Sequence, residues 1–208
     1  MSNSPYRAVE FSATALAQNV ALLRNAVGVD EPLDLRNDAY GHGQSWVRDI
    51  AHSFGFHQFW ENDSDDPIPA TSRQLYGLSG GSPVATVAGE VVAVKAIPKA
   101  ESVSYGYTWT AERDSTLALV ALGFADGIPR GASNQGLTVI NHVILPTVGR
   151  IAMDQFVVDI TDGHASVGDL ATLWTTDAPI STWTANGARD PLIVIHNLGW
   201  RIERRWVS

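Results

Sequence analysis

The chain has 208 residues with 14 basic and 22 acidic side chains, a formal charge of −8, and 45% apolar residues. That length suits one generous domain or two small ones with a real core, and the acidic balance leaves no basic excess for a nucleic-acid partner. The absence of cysteine excludes disulfides, thiolate nucleophiles and Cys-ligated metals. The start MSNSPYRAVE has no basic-then-apolar signal segment and no apolar run reaches the roughly 20 residues of a membrane span, so a soluble cytoplasmic protein is expected.

Residues 6–12, YRAVEFS, suit a short strand. From Ala13 to about Ala26, Leu16, Val20, Leu23 and Val27 recur at helical spacing, with Ser12 or Thr14 as N-cap and Gly28 as terminator. LDLR is a strand stub, DAYGHG a glycine-punctuated loop, and Trp46, Ile50 and Phe54 mark a second helix from Gln44 that Gly55 ends. This order predicts one βαβ-like unit with a trailing helix. Residues 56–83, with an acidic cluster, prolines and a Gly-Gly pair, read as a linker or irregular excursion. Beyond it VATVAGEVVAVKAI, SVSYGYTW, TLALVALGFADG, GLTVINHVILPTV, RIAMDQFVVDI and GDLATLW read as short strands between turns, as in an antiparallel barrel or sandwich. Asn141-His142 suits a hairpin turn. The tail suits a strand or short helix around 193–198 and then a strand through RIERRWV.

His42, His52, His57, His142, His164 and His196 show no metal-ligand spacing on a helix, so no metal site is expected and they read as solvent-facing or locally bonded. The run ENDSDD lacks the order and distal glutamate of a calcium loop and reads as a solvated acidic turn. GxGxxG, P-loop and GxSxG motifs are missing. Three stretches carry chemistry. DAYGHG sets a carboxylate, a phenol and an imidazole around two glycines at a strand-to-helix junction, where backbone amides meet ligands. VSYG places Tyr105 on a strand, and GRIAMDQ puts Arg150 after a glycine and buries Met153 beside Asp154.

In this order DAYGHG, VSYG, FADG-PR and GR-AMDQ resemble the alanine racemase family of fold-type III pyridoxal-phosphate enzymes, and the likeness runs from YRAVEFSATALAQNVALLRNAV to LGWRIERRW. The resemblance implies an N-terminal (β/α)₈ barrel that holds pyridoxal 5′-phosphate, and a C-terminal β domain that completes the active site with the partner subunit's barrel in a dimer. The activity it implies is interconversion of L- and D-alanine, the D-alanine supply for the cell wall. It assigns Tyr105 as the second catalytic base, Tyr40 as the phosphate-side tyrosine, Arg130 and Arg150 as entrance arginines, and Met153, with Asp154 beside it, as the substrate-carboxylate contact.

The chain departs from that pattern in three places. A (β/α)₈ barrel needs at least about 200 residues, and the stretch before Pro83 is far too short to hold one. The imine lysine of the family corresponds to Arg36, whose guanidinium stays protonated and has no free lone pair, so it is not competent as an imine former or base. The phosphate tyrosine and the glutamate after it correspond to Leu192 and Ile193. The expectation is therefore an α+β, mainly β chain. It comprises a barrel remnant over 1–56 (strand, helix, cofactor-type loop, helix), a linker over 57–83 and a racemase-like C-terminal β domain over 84–208. No cofactor and no racemase activity are expected, and Arg36 pairs with Asp34 or Asp38. Partnership is expected as a homodimer or as a heterodimer with a full-length alanine racemase, without membrane or nucleic-acid contact. The alternative is an altered pyridoxal-phosphate isomerase working through Lys95 or Lys99, both expected to be exposed.

Overall fold

Ser12 ends the first strand, β1 (Arg7–Ser12), and opens the first helix, α1 (Ala13–Val27), by accepting the Ala15 amide on its hydroxyl at 3.1 Å. Gly28, at φ 82°, closes the helix through its amide to the Arg24 carbonyl. These elements come from a computed structural model that describes residues 5–64, 66–184 and 188–208. The first four residues of the start read for a signal segment and Asp65 of the acidic run lie outside the described residues. The chain divides into a helix-rich unit, formed by Glu10–Ala85, Ile195–Asn197 and Arg204–Ser208, and a barrel unit, formed by Met1–Val9, Thr86–Val194 and Leu198–Glu203.

In the helix-rich unit α1 buries Ala15, Leu16, Val20 and Leu23, the apolar stripe its 3.6-residue period sets. Asn19 is buried on that stripe and is satisfied by Leu75 and Ser82, donating to both carbonyls and accepting the Ser82 amide at 3.0 Å. Next come β2 (Leu33–Asp34), a single left-handed turn labelled α2 (Arg36–Tyr40), and α3 (Gln44–Ser53), which starts at Gln44 as expected. The buried face of α3 is Val47 and Ala51 instead of Trp46, Ile50 and Phe54; Trp46 is 54% exposed. Its ring stacks on Trp206 at 5.7 Å. The stretch read as a linker carries β3 (Phe59–Trp60) and α4 (Ala70–Leu75). β3 pairs in parallel with β2, so the βαβ crossover runs β2, α3, β3.

The barrel unit follows the period-2 alternation of its strands. β4 (Ala85–Ile97) is followed by a small hairpin, β5 (Ser102–Val103) and β6 (Trp109–Thr110), then by β7 (Ser115–Val120), β8 (Leu137–Ile140), β9 (Val143–Val148), β10 (Phe156–Asp159) and β11 (Leu170–Leu173). β4, β7, β10, β9, β8 and β11 are hydrogen-bonded in that order, and β11 returns to β4, closing an antiparallel barrel. β4 can serve two neighbours because it is long: residues 87–90 pair with β11, and from Val91 on it pairs with β7 past a bulge between Val91 and Ala93. Gly89 sits where a Cβ would lie 2.5 Å from Leu122, so the close approach needs glycine. Val87, Val91, Val120, Phe156, Val158 and Leu173 fill the interior. Asn141 and His142, at φ 49° and 66°, make the β8–β9 hairpin turn as expected. The tail forms α5 (Pro191–His196), the helical alternative for that stretch, and β12 (Glu203–Val207). Mainly β architecture with a closed barrel in the C-terminal part is the expected fold class. Among the described residues no helix is long and apolar enough to cross a membrane.

Candidate functional site

Two groups of the singled-out residues come together, one in each unit. In the helix-rich unit the strand stub points Asp34 and Arg36, two positions apart, toward the same side. The Arg36 guanidinium meets the Asp34 carboxylate with both prongs, Nε to Oδ1 at 2.8 Å and Nη2 to Oδ2 at 2.7 Å. Its Nη1 donates to the Ser64 hydroxyl at 2.7 Å and to the Asp66 carbonyl at 3.2 Å. Tyr40 donates its hydroxyl to Asp34 Oδ2 at 2.5 Å. Asp34, Arg36 and Tyr40 are 1%, 4% and 1% exposed. Of the two partners expected for Arg36, Asp34 is the one engaged; Asp38 instead caps α3 by accepting the Gln44 amide at 2.7 Å.

The electrostatics follow from this packing. Burial pushes the Asp34 carboxyl upward, but hydrogen bonds from Arg36 and Tyr40 outweigh it and leave the group below the ordinary carboxylate value. The hydrogen bond to Asp34 raises Arg36. Burial first, then the same carboxylate, raises the Tyr40 phenol. This is an ion pair locked in its charged form, with no proton available near neutral pH.

Its backbone is strained. Asn37, Asp38, Ala39 and Tyr40 all lie in the left-handed region, at φ 55°, 53°, 53° and 53°. Such a conformation costs about 1–2 kcal/mol per non-glycine residue. The turn is held by the Gly41 amide on the Asn37 and Asp38 carbonyls, by the Asn37 amide on Asp63, and by the Tyr40–Asp34 bond. His42 lies buried behind it, stacked on Tyr76 at 4.2 Å, with Nδ1 against the Ala39 carbonyl and Nε2 without a partner among the described residues. Burial lowers its pKa to about 4. Arg36 forms one wall of a cavity of about 540 Å³ shared with Phe59, Trp60 and Glu61.

In the barrel unit Tyr105, Arg130 and Met153 border a second cavity of about 280 Å³, with Phe124. Two expectations are corrected here. Tyr105 lies in the turn after β5, not on a strand, because the chain reverses through Ser104 and Gly106, both at positive φ; its ring is 70% exposed. Met153 is not buried: β10 begins only at Phe156, and Met153 stands 58% exposed on the preceding loop. Its backbone is engaged instead, the Met153 carbonyl accepting the Ala125 amide at 2.8 Å. Arg150 lies exposed beside Gly106 and accepts the Ser104 hydroxyl on its carbonyl at 2.6 Å. Asp154 is held by Arg201 at 2.6 Å, and Arg201 also reaches the fully buried Asp126. Leu192 is buried, and Lys95 is exposed in a pair with Glu101. Lys99 is exposed as well.

Sequence reasoning missed Phe124 and the contacts of Ser64 and Asp66 with Arg36. Phe124 had a signal in the polar bend of LGFADG, whereas Ser64 and Asp66 are 28 and 30 residues from Arg36 and had none.

The family described as alanine racemase, C-terminal domain, matches residues 84–206. An alanine racemase from Salinispora arenicola is 45% identical over 107 residues, 48% of this chain and 29% of the relative. One from Shewanella piezotolerans is 37% identical over 144 residues, 64% of this chain and 40% of the relative. This chain thus spans 29% to 40% of the length of these relatives. The crystal structure of alanine racemase from Streptomyces lavendulae superimposes with a TM-score of 0.77 at 17% identity, covering 99% of this chain and 98% of that one. A histidine racemase from Leuconostoc mesenteroides superimposes with a TM-score of 0.77 at 13% identity, covering 100% and 99%. The structural matches cover 98% and 99% of those chains, whereas the sequence matches cover 29% and 40% of the relatives; at such low identity the structural likeness speaks to the fold alone. The match of more than half the chain to the racemase C-terminal domain, over the residues that build the closed barrel, places this chain in the alanine racemase family.

Proposed function

We propose that this chain is an alanine-racemase-family protein without pyridoxal-phosphate racemase activity of its own, acting by association with itself or with a full-length racemase in the cytoplasm, on the side of D-alanine supply. The observation that carries the first half is the buried bidentate Arg36–Asp34 pair. Arginine at that place has no lone pair to attack an aldehyde and stays protonated at every relevant pH. The residues at the positions that the family resemblance gives to pyridoxal 5′-phosphate do not suit it. Tyr40, the loop's phenol, already donates its hydroxyl hydrogen bond to Asp34, and the aliphatic Leu192 side chain has no group to donate to a phosphate. Lys95 and Lys99 are exposed, whereas an imine lysine needs desolvation to lower its pKa.

Association draws support from the barrel rim. Tyr105, Tyr107, Phe124 and Met153 are 70%, 73%, 51% and 58% exposed, an apolar surface of the kind that partners cover. Arg130 and Arg150 stand exposed on the same loops and would supply charge to an acidic counterpart. Co-expression with a full-length alanine racemase, followed by size exclusion and a D-alanine assay, tests the reading. The expected result is a shared peak, or a homodimer peak, with no D-alanine from this chain alone. A monomer that turns over alanine after incubation with pyridoxal phosphate overturns it.

A further inference from the structure

The two histidines nearest the end of α3 are brought together by the turn that ends the helix. His52 lies in the last turn of α3 and His57 beyond Gly55, whose φ of 92° reverses the chain. The Gly55 amide bonds the His52 carbonyl at 2.9 Å, the Phe56 amide bonds the Ala51 carbonyl at 3.2 Å, and the fully buried Phe56 ring anchors the turn. The two Nδ1 atoms end 3.0 Å apart, with ring centroids at 5.1 Å. The Phe59 ring packs edge-on against His52 at 5.1 Å and limits its rotation. Both imidazoles are exposed to solvent.

We propose that His52 and His57 form a two-imidazole site for a late first-row divalent cation, Cu²⁺ in preference to Ni²⁺ or Zn²⁺. Two nitrogens bound to one ion at about 2.0–2.1 Å in adjacent coordination positions stand about 2.9–3.3 Å apart, so the rings need only turn both Nδ1 lone pairs toward one ion from the 3.0 Å separation they now have. Imidazole is a preferred ligand of these ions, and copper(II) binds such a donor set most tightly. In this contact one ring's Nδ1–H donates a hydrogen bond to the other ring's Nδ1. Both nitrogens become available when that proton moves to Nε2 of its own ring, with no net proton lost. Among the described residues no third histidine, cysteine or carboxylate joins them, so water completes the coordination. The acidic charge of −8 favours cation approach. The pairing escaped the spacing rule because His57 lies five residues on, past the helix end.

The site is tested on the full chain with one equivalent of Cu²⁺, by titration calorimetry and by electron paramagnetic resonance, against His52→Ala, His57→Ala and the control His164→Ala. Losing either imidazole removes the intramolecular second binding step, so affinity is expected to fall about a hundredfold in each single variant and to stay unchanged in the control. The wild-type spectrum is expected to show two nitrogen ligands and the variants one. Unchanged affinity in either single variant, or a wild-type spectrum with fewer than two nitrogens, overturns the proposal. Because both side chains are exposed, the variants are expected to keep the parent circular dichroism spectrum, which separates a lost ligand from a lost fold.

Discussion

At the barrel rim Tyr105 is 70% exposed and Met153 58% exposed, whereas in the helix-rich unit Asp34, Arg36 and Tyr40 are 1%, 4% and 1% exposed. At the rim the Arg150 and Met153 carbonyls accept hydrogen bonds, while the Tyr105 and Met153 side chains lie open to solvent. The loop residues of the other unit spend their side-chain hydrogen bonds on one another. The same family resemblance therefore covers two physical situations: a rim whose side chains are open to solvent, and a strained left-handed turn whose polar groups support one another. The four left-handed residues are strained, and the hydrogen bonds among Asp34, Arg36 and Tyr40 hold them in place.

The contrast breaks most sharply at Asp34. Asp34→Ala leaves the Arg36 guanidinium buried without its counter-charge and frees Tyr40, and is expected to cost about 3–5 kcal/mol in urea unfolding. A loss below about 1 kcal/mol, the worth of an exposed pair, would mean the cluster is not the support of the turn. The next effect is pH dependence. Burial lowers His42 from 6.5 to about 4, so the unfolded chain takes up this proton first; the stabilisation is intact above pH 6.5 and is lost as pH falls toward 4. The full shift is worth about 3 kcal/mol. His42→Phe, which keeps a ring against Tyr76, should flatten stability over that window. Asp34 adds a loss at lower pH still, since its folded value lies below the ordinary 3.8 and its contribution disappears only as pH falls through it.

In the barrel unit the expected effects are smaller. Gly123→Ala would set a Cβ 2.5 Å from the Met153 carbonyl and the Gln155 amide, so the rim loop must shift, at about 1–3 kcal/mol measured by thermal unfolding. Tyr105→Ala is expected to change stability by no more than about 0.5 kcal/mol, because the ring is open to solvent. It should nonetheless weaken any shared size-exclusion peak with a full-length racemase. If it destabilises the chain while association persists, the rim is structural and the contrast between the two regions fails.

The barrel strands were legible because their alternation is an intrinsic consequence of the pleat: Thr138 and Ile140 of β8, or Phe156 and Val158 of β10, face inward at every second position. The α1 helix was legible from its stripe and from Ser12. What stayed hidden depended on distant chain. Trp46, Ile50 and Phe54 have helical spacing, yet the neighbours of α3 cover Val47 and Ala51. Tyr105 carried a β-rich context, but Ser104 and Gly106 at positive φ turn it outward. Arg36 could be matched to Asp34 from two residues away, while its contacts at Ser64 and Asp66 come from a stretch whose composition signals only irregular chain. The His52–His57 contact fell between rules for helices and rules for loops.

The central claim is that the Arg36 position forms no imine and that no other amine takes its place. Incubating the full chain with pyridoxal 5′-phosphate alone, reducing with borohydride and mapping pyridoxyl-lysine by mass spectrometry, with D-alanine formation from L-alanine assayed on an unreduced sample, tests it directly. The expected result is no stoichiometric pyridoxyl group and no D-alanine. One pyridoxyl group per chain on Lys95 or Lys99, accompanied by D-alanine turnover, would contradict it.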